Sequence, residues 1–246
     1  MNVPHESYRV LVADAATPVG IALLTYLGET EYVLRALVTD ADAERRAHNA
    51  GADEVVHADF ANHRALADAV ADVDAFCCTT TDGGLGRVVG PLDGGRGLQN
   101  LFDAVDENSR PYVVLHSTIG VGDSASGMVL PRRLYNYRIL HALDETERNL
   151  RERGVPYTIL RTGATTDDAR SHDVVTGEGG DDVSGRIGRA DLAWLMTATL
   201  TTPEARNRTF EVASSDATTA TDAVDFAWSG PETGLVARRS GYSIPS

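Results

Sequence analysis

Three groups of residues in this chain have types and spacings suited to chemistry. The first is Asp14-Ala15-Ala16-Thr17-Pro18-Val19-Gly20, a turn of small and polar residues between an apolar run, Arg9–Ala13, and an amphipathic stretch, Ile21–Leu27. A strand, a tight turn and a helix start in that order make an anion cradle, because the first helical N–H groups point at whatever lies above the turn. The three places where a dinucleotide-binding fingerprint carries glycine hold Asp14, Thr17 and Gly20. Only the last glycine, which lets the helix pack on the strand, is kept. Thr17 puts a side chain where a pyrophosphate comes closest. Asp14 puts a carboxylate there, and like charges a few ångströms apart cost on the order of 1–4 kcal/mol. Asp14 equally reads as an ordinary turn residue with its carboxylate in solvent. Ala16, Pro18 and Val19 complete the turn and are candidate cofactor contacts with it.

The second group stands at the ends of apolar runs. Thr39-Asp40 closes the run Val33–Thr39, and a carboxylate there accepts ribose hydroxyls and repels a 2′-phosphate, favouring NAD over NADP. Arg45 or Arg46 offers a cation to such a phosphate but reads more simply as a solvated helix charge. Cys78-Thr79-Thr80 ends another strand at the crevice edge of an open α/β sheet. Ser117 and Thr118 offer hydroxyls to a nicotinamide ribose or a substrate carbonyl, though a Ser-Thr pair after a strand is also ordinary turn chemistry. His116 reads as a packing residue. The third group is Tyr137 and His141, at the i, i+4 spacing of an acid/base pair on one helix face.

The elements that must position these groups alternate as strand and helix. After the N-terminal βαβ unit come a helix at Ala41–Ala50, a strand at Glu54–Ala58, a helix at His63–Ala71 and a strand at Asp74–Thr79. A Thr- and Gly-rich loop, 80–97, leads to a helix at Leu98–Glu107 and a strand at Tyr112–His116. A long helix at Arg132–Arg153 ends at Gly154, as a C-terminal capping glycine requires. A strand at Tyr157–Arg161, a polar stretch at Asp167–Gly185, a helix from near Ala190 and a strand at Thr209–Val212 follow. This order predicts an α/β fold, a Rossmann-type doubly wound parallel sheet in a single domain, 1–213, with a small lobe near 164–188 and a tail or arm at 214–246. Its C-terminal edge should gather Ala15–Gly20, Thr39, Asp59, Thr79, Ser117 and Gly163.

Composition narrows the partners. Asp and Glu number 36 against 22 basic residues, all of them Arg, for a net charge of −14. A Lys-free acidic chain has the composition of proteins from salt-loving archaea, where concentrated salt screens self-repulsion. A GC-rich genome also exchanges Lys for Arg but does not explain the acid excess. The acidity argues against nucleic acid as a partner. No run approaches the ~18 apolar residues of a membrane span, so no membrane partner and a cytoplasmic location are expected. Cys77 and Cys78, adjacent in a strand, point to opposite faces and read as buried packing residues. No metal site is expected.

The block Val113–Gly120, followed by Glu147 and by Gly154-Val155-Pro156-Tyr157-Thr158-Ile159-Leu160-Arg161-Thr162-Gly163, resembles the atypical short-chain dehydrogenases, the NmrA-like and NAD(P)-binding epimerase-like group. Ile187–Ala193 resembles that family's Arg-Asp-Val-Ala helix start, and the likeness covers roughly 8 to 213. The resemblance implies that Asp59 and Phe60 line an adenine, and that Arg161 and Gly163 belong to the cofactor side. It also implies a Tyr-x-x-x-Lys pair on the long helix, but aligning back from Gly154 through Glu147 puts Ile139 and Leu143 at those places. Tyr137 and His141 then lie about 200° away around a helix of ~3.6 residues per turn. Two functions follow as expectations. One is an NAD(P)-dependent oxidoreductase or epimerase-like enzyme in which Ser117, with Tyr137 or a water, assists a hydride transfer on a small molecule. The other is a non-catalytic dinucleotide sensor or scaffold. The damaged cradle also leaves open that no dinucleotide binds, and the substrate has no motif.

Overall fold

Strict alternation fixes the first strand: β1 (Arg9–Ala13) buries Val10 and Val12 on one face and Leu11 and Ala13 on the other, so it must lie inside a sheet covered on both sides. The computed structural model describes residues 8–79, 96–106, 109–127, 137–171, 173–178, 180, 183–217, 219–220 and 223–229. In chain order follow α1 (Pro18–Leu27), β2 (Val33–Val38), α2 (Ala41–Asn49), β3 (Glu54–His57), α3 (His63–Val70), β4 (Ala75–Thr79), α4 (Arg96–Asp103), β5 (Tyr112–Thr118), α5 (Tyr137–Glu152) and β6 (Tyr157–Thr162). Then come β7 (Ala164–Thr166), β8 (Val174–Gly177), β9 (Val183–Ser184), β10 (Arg186–Gly188), α6 (Arg189–Leu200), β11 (Arg208–Ser214) and β12 (Thr219–Ala220).

The main sheet has eight strands in the order β3-β2-β1-β4-β5-β6-β11-β8, all parallel except β8, which runs antiparallel to β11. The order reverses between β1 and β4, which makes the crevice at their C-terminal ends the topological switch point. One face is covered by α1, α2 and α6 through Leu23, Leu27, Ala47, Leu195 and Met196. The other is covered by α3, α4 and α5 through Leu66, Leu101, Phe102 and Leu150. Cys77 and Cys78 are fully buried in opposite layers, and burial raises both thiol pKa values, Cys78 to about 12. This is the doubly wound α/β fold that the strand–helix alternation predicts.

The differences lie at the ends and in the polar region. β5 continues two residues beyond His116, so Ser117 and Thr118 pair with Arg161 and Thr162 of β6 instead of opening a loop. The start of the long helix, 132–136, lies outside the described residues; Gly154 follows it at φ 67°, the left-handed capping position. The stretch 167–185 contains β8, a strand of the main sheet, and β9, which pairs with β12; β7 and β10, which pair with each other, flank it. Beyond β11, residues 223–229 return to the sheet. Val224 N–H donates to the Thr176 carbonyl at 2.7 Å, and Phe226 and Trp228 stack on Phe210 with centroids 4.8 and 5.1 Å away.

Candidate functional site at the sheet switch point

The turn between β1 and α1 is built around Asp14 and Thr17. Asp14 has φ 54°, in the left-handed region that a fingerprint glycine would occupy and that Asp tolerates better than most residues. Its carbonyl accepts from the Thr17 N–H at 3.2 Å and from the Thr17 hydroxyl at 3.0 Å, which closes the turn. Thr17 is the N-cap of α1: its Oγ1 accepts from the Gly20 N–H at 3.0 Å and lies 3.3 Å from Thr79 Oγ1 at the end of β4. The hydroxyl is therefore turned inward and occupies a helix donor. Pro18 has no N–H, and the Ile21 N–H goes to the Thr17 carbonyl at 2.8 Å. Among the described residues only Val19, of the first helical turn, keeps an unclaimed N–H. A Cβ at Gly20 would stand 2.8 Å from the Asp14 carbonyl oxygen, so the third fingerprint place has to be glycine here.

The Asp14 side chain, on the turn that forms this cradle, is half-buried and has no hydrogen-bond or ion-pair partner among the described residues. Burial alone pushes its pKa up to about 6. Ala16 presents its carbonyl to Arg46 of α2, whose Nη1 donates at 3.0 Å, so this arginine is tied to the turn. Arg45 pairs with Asp42 in solvent.

The end of β2 serves its own helix. Asp40 is the N-cap of α2, with Oδ1 accepting from the Ala43 N–H at 2.8 Å and Oδ2 accepting from the Thr39 hydroxyl at 3.3 Å. The Ala43 hydrogen bond, with Thr39 and Arg46 helping, holds this exposed carboxyl below the usual range. At the end of β3, exposed Asp59 accepts from the Ala61 N–H at 2.9 Å. Phe60 is 2% exposed and packs in the α3–α4 layer. Cys78 faces the same layer, Thr79 faces the cradle, and Thr80 lies outside the described residues.

On β5 and β6 the structure brings together residues that the sequence reading kept apart. The Ser117 hydroxyl donates to Glu147 Oε1 of α5 at 2.7 Å, and both residues are fully buried. Arg161, 2% exposed, grips the same carboxylate through Nε at 3.1 Å and Nη2 at 2.8 Å, and Arg151 adds a third donor at 2.9 Å. The Arg161 Nη1 also meets Asp123 in the loop after β5 and lies 4.0 Å from buried Glu211 of β11. Burial works against the Arg161 charge, but Glu147 and Asp123 outweigh it and hold its pKa above the ordinary value. Gly122, at φ 57°, lets the loop lie over this guanidinium, since a Cβ there would be 2.9 Å from Nη2. Arg161 is thus a tie between two strands, a helix and a loop. Thr118 donates to the Thr162 carbonyl at 3.2 Å, and His116 Nε2 is 2.9 Å from the Thr162 hydroxyl. Gly163 is pressed against Gly185, whose carbonyl oxygen a Cβ would overlap at 1.8 Å.

On α5, Leu140 and Leu143 pack on Val121, so the position matching the family's lysine is apolar and closed. His141 is more than half exposed and sits 3.7 Å from Glu145. Tyr137 opens the helix, but its side chain lies outside the described residues. The Glu147–Arg161 tie was signalled only by the motif that contains both residues; the Arg46–Ala16 bond left no pattern along the chain. Among the described residues no three His, Cys, Asp or Glu side chains are grouped to hold a metal, and no helix is long and apolar enough to cross a membrane.

Comparison with known proteins agrees with the switch-point geometry. The chain is 26% identical over 245 residues to an uncharacterized chloroplastic protein of Arabidopsis thaliana, covering 90% of this chain and 74% of that one. Its fold is similar to the anaerobilin reductase ChuY of Escherichia coli O157:H7, with a TM-score of 0.72 at 19% identity, over 85% of this chain and 98% of that one. It is also similar to a Bacillus halodurans protein described as an NAD-dependent epimerase/dehydratase, with a TM-score of 0.69 at 21% identity, over 85% and 94% of the two chains. The NAD(P)H-binding family matches residues 15–203. The chain belongs to the NAD(P)H-binding family.

Proposed function

We propose that this protein binds NAD(P) at the β1–α1 turn and the ends of β2, β4 and β5, and works as a dinucleotide-binding or sensing protein with little turnover. The residues present fit such a group. Gly20 keeps the helix close, Val19 offers an N–H, and Thr79 adds a neutral hydroxyl at the end of β4 beside the inward-turned Thr17. A bound nicotinamide would supply hydride chemistry; the protein's share would be to place it and to move one proton. The observation that carries the low-turnover reading is the engagement of Ser117. Its hydroxyl is donated to Glu147, which Arg161 also holds, while Leu143 fills the lysine place. A proton relay of the short-chain dehydrogenase kind needs both groups free at the crevice.

NAD is the favoured dinucleotide in this proposal. The exposed Asp40 carboxylate stays ionised at the end of β2, where it would repel a 2′-phosphate, with Arg46 as the opposing charge. Enzymatic reduction is the second reading, favoured by the likeness to a named reductase. Titration calorimetry with NAD and NADP in concentrated KCl tests the binding, and stopped-flow oxidation of NADH with carbonyl compounds tests the turnover. The expected results are tighter binding of NAD, a narrower gap in Asp40→Ala, and turnover far below the ~10 s⁻¹ typical of enzymes. Tenfold tighter NADP would overturn the Asp40 argument, and ordinary enzymatic rates would overturn the sensing role.

A further inference from the structure

The cradle is short of hydrogen-bond donors for a pyrophosphate. Pro18 has none, the Gly20 N–H is held by the Thr17 hydroxyl and the Ile21 N–H by the Thr17 carbonyl. Asp14 stands at the same place with a side chain that no described residue engages. An ionised carboxylate there would repel phosphate, whereas a neutral one would donate an O–H to it. Resting on the dinucleotide-binding reading above, we propose that Asp14 binds the dinucleotide phosphate as the neutral acid, so that binding takes up one proton from solvent at this residue.

The surroundings support that assignment. The backbone of Asp14 is fixed by its left-handed φ and by two bonds from Thr17, so the side chain cannot leave the turn by a small peptide rotation. Among the described residues nothing nearby supplies a fixed counter-charge. α1 has no charged residue in its first turn, and β4 presents the neutral Thr79. From β2 and α2 come Asp40, committed to the Ala43 N–H, and Arg46, committed to the Ala16 carbonyl. Asp59 of the next loop is committed to the Ala61 N–H. Burial already raises the Asp14 pKa to about 6, and a bound phosphate anion would raise it further. A proton is therefore taken up near neutral pH, the condition for linkage to be measurable.

The test is calorimetric titration of the full-length protein with NAD in concentrated KCl from pH 5.5 to 8.5, in buffers of differing ionisation enthalpy. Asp14→Asn is the partner variant, because Asn accepts the left-handed backbone and its amide donates without titrating. The wild type should take up close to one proton and lose affinity by about fivefold to tenfold per pH unit above 6. Asp14→Asn should bind with a nearly flat profile and tighter than wild type at pH 8. Binding that is present but equally pH-dependent in both proteins overturns the role of Asp14 and leaves the dinucleotide reading standing. Absence of binding by both proteins at every pH overturns that reading, and the inference with it.

Discussion

Arg161 and Glu147 meet as a two-point pair inside the protein, with Nε–Oε1 at 3.1 Å and Nη2–Oε2 at 2.8 Å, and neither side chain is more than 2% exposed. Two charges withdrawn from water are tolerable only when each satisfies the other, and Ser117 and Arg151 fill the remaining acceptor sites. Glu147→Ala would leave a guanidinium and a hydroxyl without their partner in a closed interior. The expected loss is about 3–5 kcal/mol of stability. Urea unfolding of Glu147→Ala, Arg161→Met and the double variant should show the double costing clearly less than the sum; additive losses would mean the pair is not coupled.

Thr17 carries opposite consequences for folding and binding. As the N-cap of α1 it satisfies Gly20, so Thr17→Ala should cost about 1 kcal/mol. Thr17→Gly, which keeps an acceptable cap, should cost only a few tenths of that while releasing the Gly20 N–H to an anion. NAD affinity should then rise in Thr17→Gly. Unchanged or weaker binding would show that the hydroxyl itself contacts the ligand.

The ligand-free protein should report Asp14 in its stability. With a folded pKa raised to about 6 from an ordinary 3.8, this group stabilises relatively most below the ordinary value, and the advantage is lost as pH rises toward 6. Asp14→Asn lacks that loss. Its unfolding free energy relative to wild type should climb between about pH 4 and 6 and then level, by an amount on the order of 2–3 kcal/mol, read from urea unfolding at each pH. A constant difference across that range would show the carboxylate to be solvated.

Salt should matter throughout. A net charge of −14 repels itself in dilute buffer, and screening removes that term. Thermal midpoints should rise steeply from low to molar KCl. A flat response would leave the absence of lysine as a matter of codon usage.

The sheet was legible because Val10–Ala13, Ala36–Val38 and Ala75–Cys78 are apolar on both faces, a pattern that a strand between two helical layers explains. β8 was hidden because Val174–Gly177 is four residues among acids and glycines, and its partner β11 lies thirty residues on, so no local periodicity marks it. The cradle could be located from the spacing of Asp14, Thr17 and Gly20. Its state could not, since Oγ of Thr17 blocks an anion or caps a helix according to one rotamer. Ser117 was placed at the crevice by its position after an apolar run. The carboxylate to which it donates lies thirty residues away, on α5, reached only through the fold.

The return of residues 223–229 to the sheet has a consequence for how the molecule meets its neighbours. An outermost strand with bare amides is a template on which another chain can pair and grow. Here the Val224 amide already occupies the Thr176 carbonyl, and Trp228 reaches the Thr176 hydroxyl at 3.4 Å. Phe226 and Trp228 meanwhile roof the ring of Phe210. The segment acts as a selvedge, taking up at Thr176 a backbone acceptor on β8 that another strand would otherwise use.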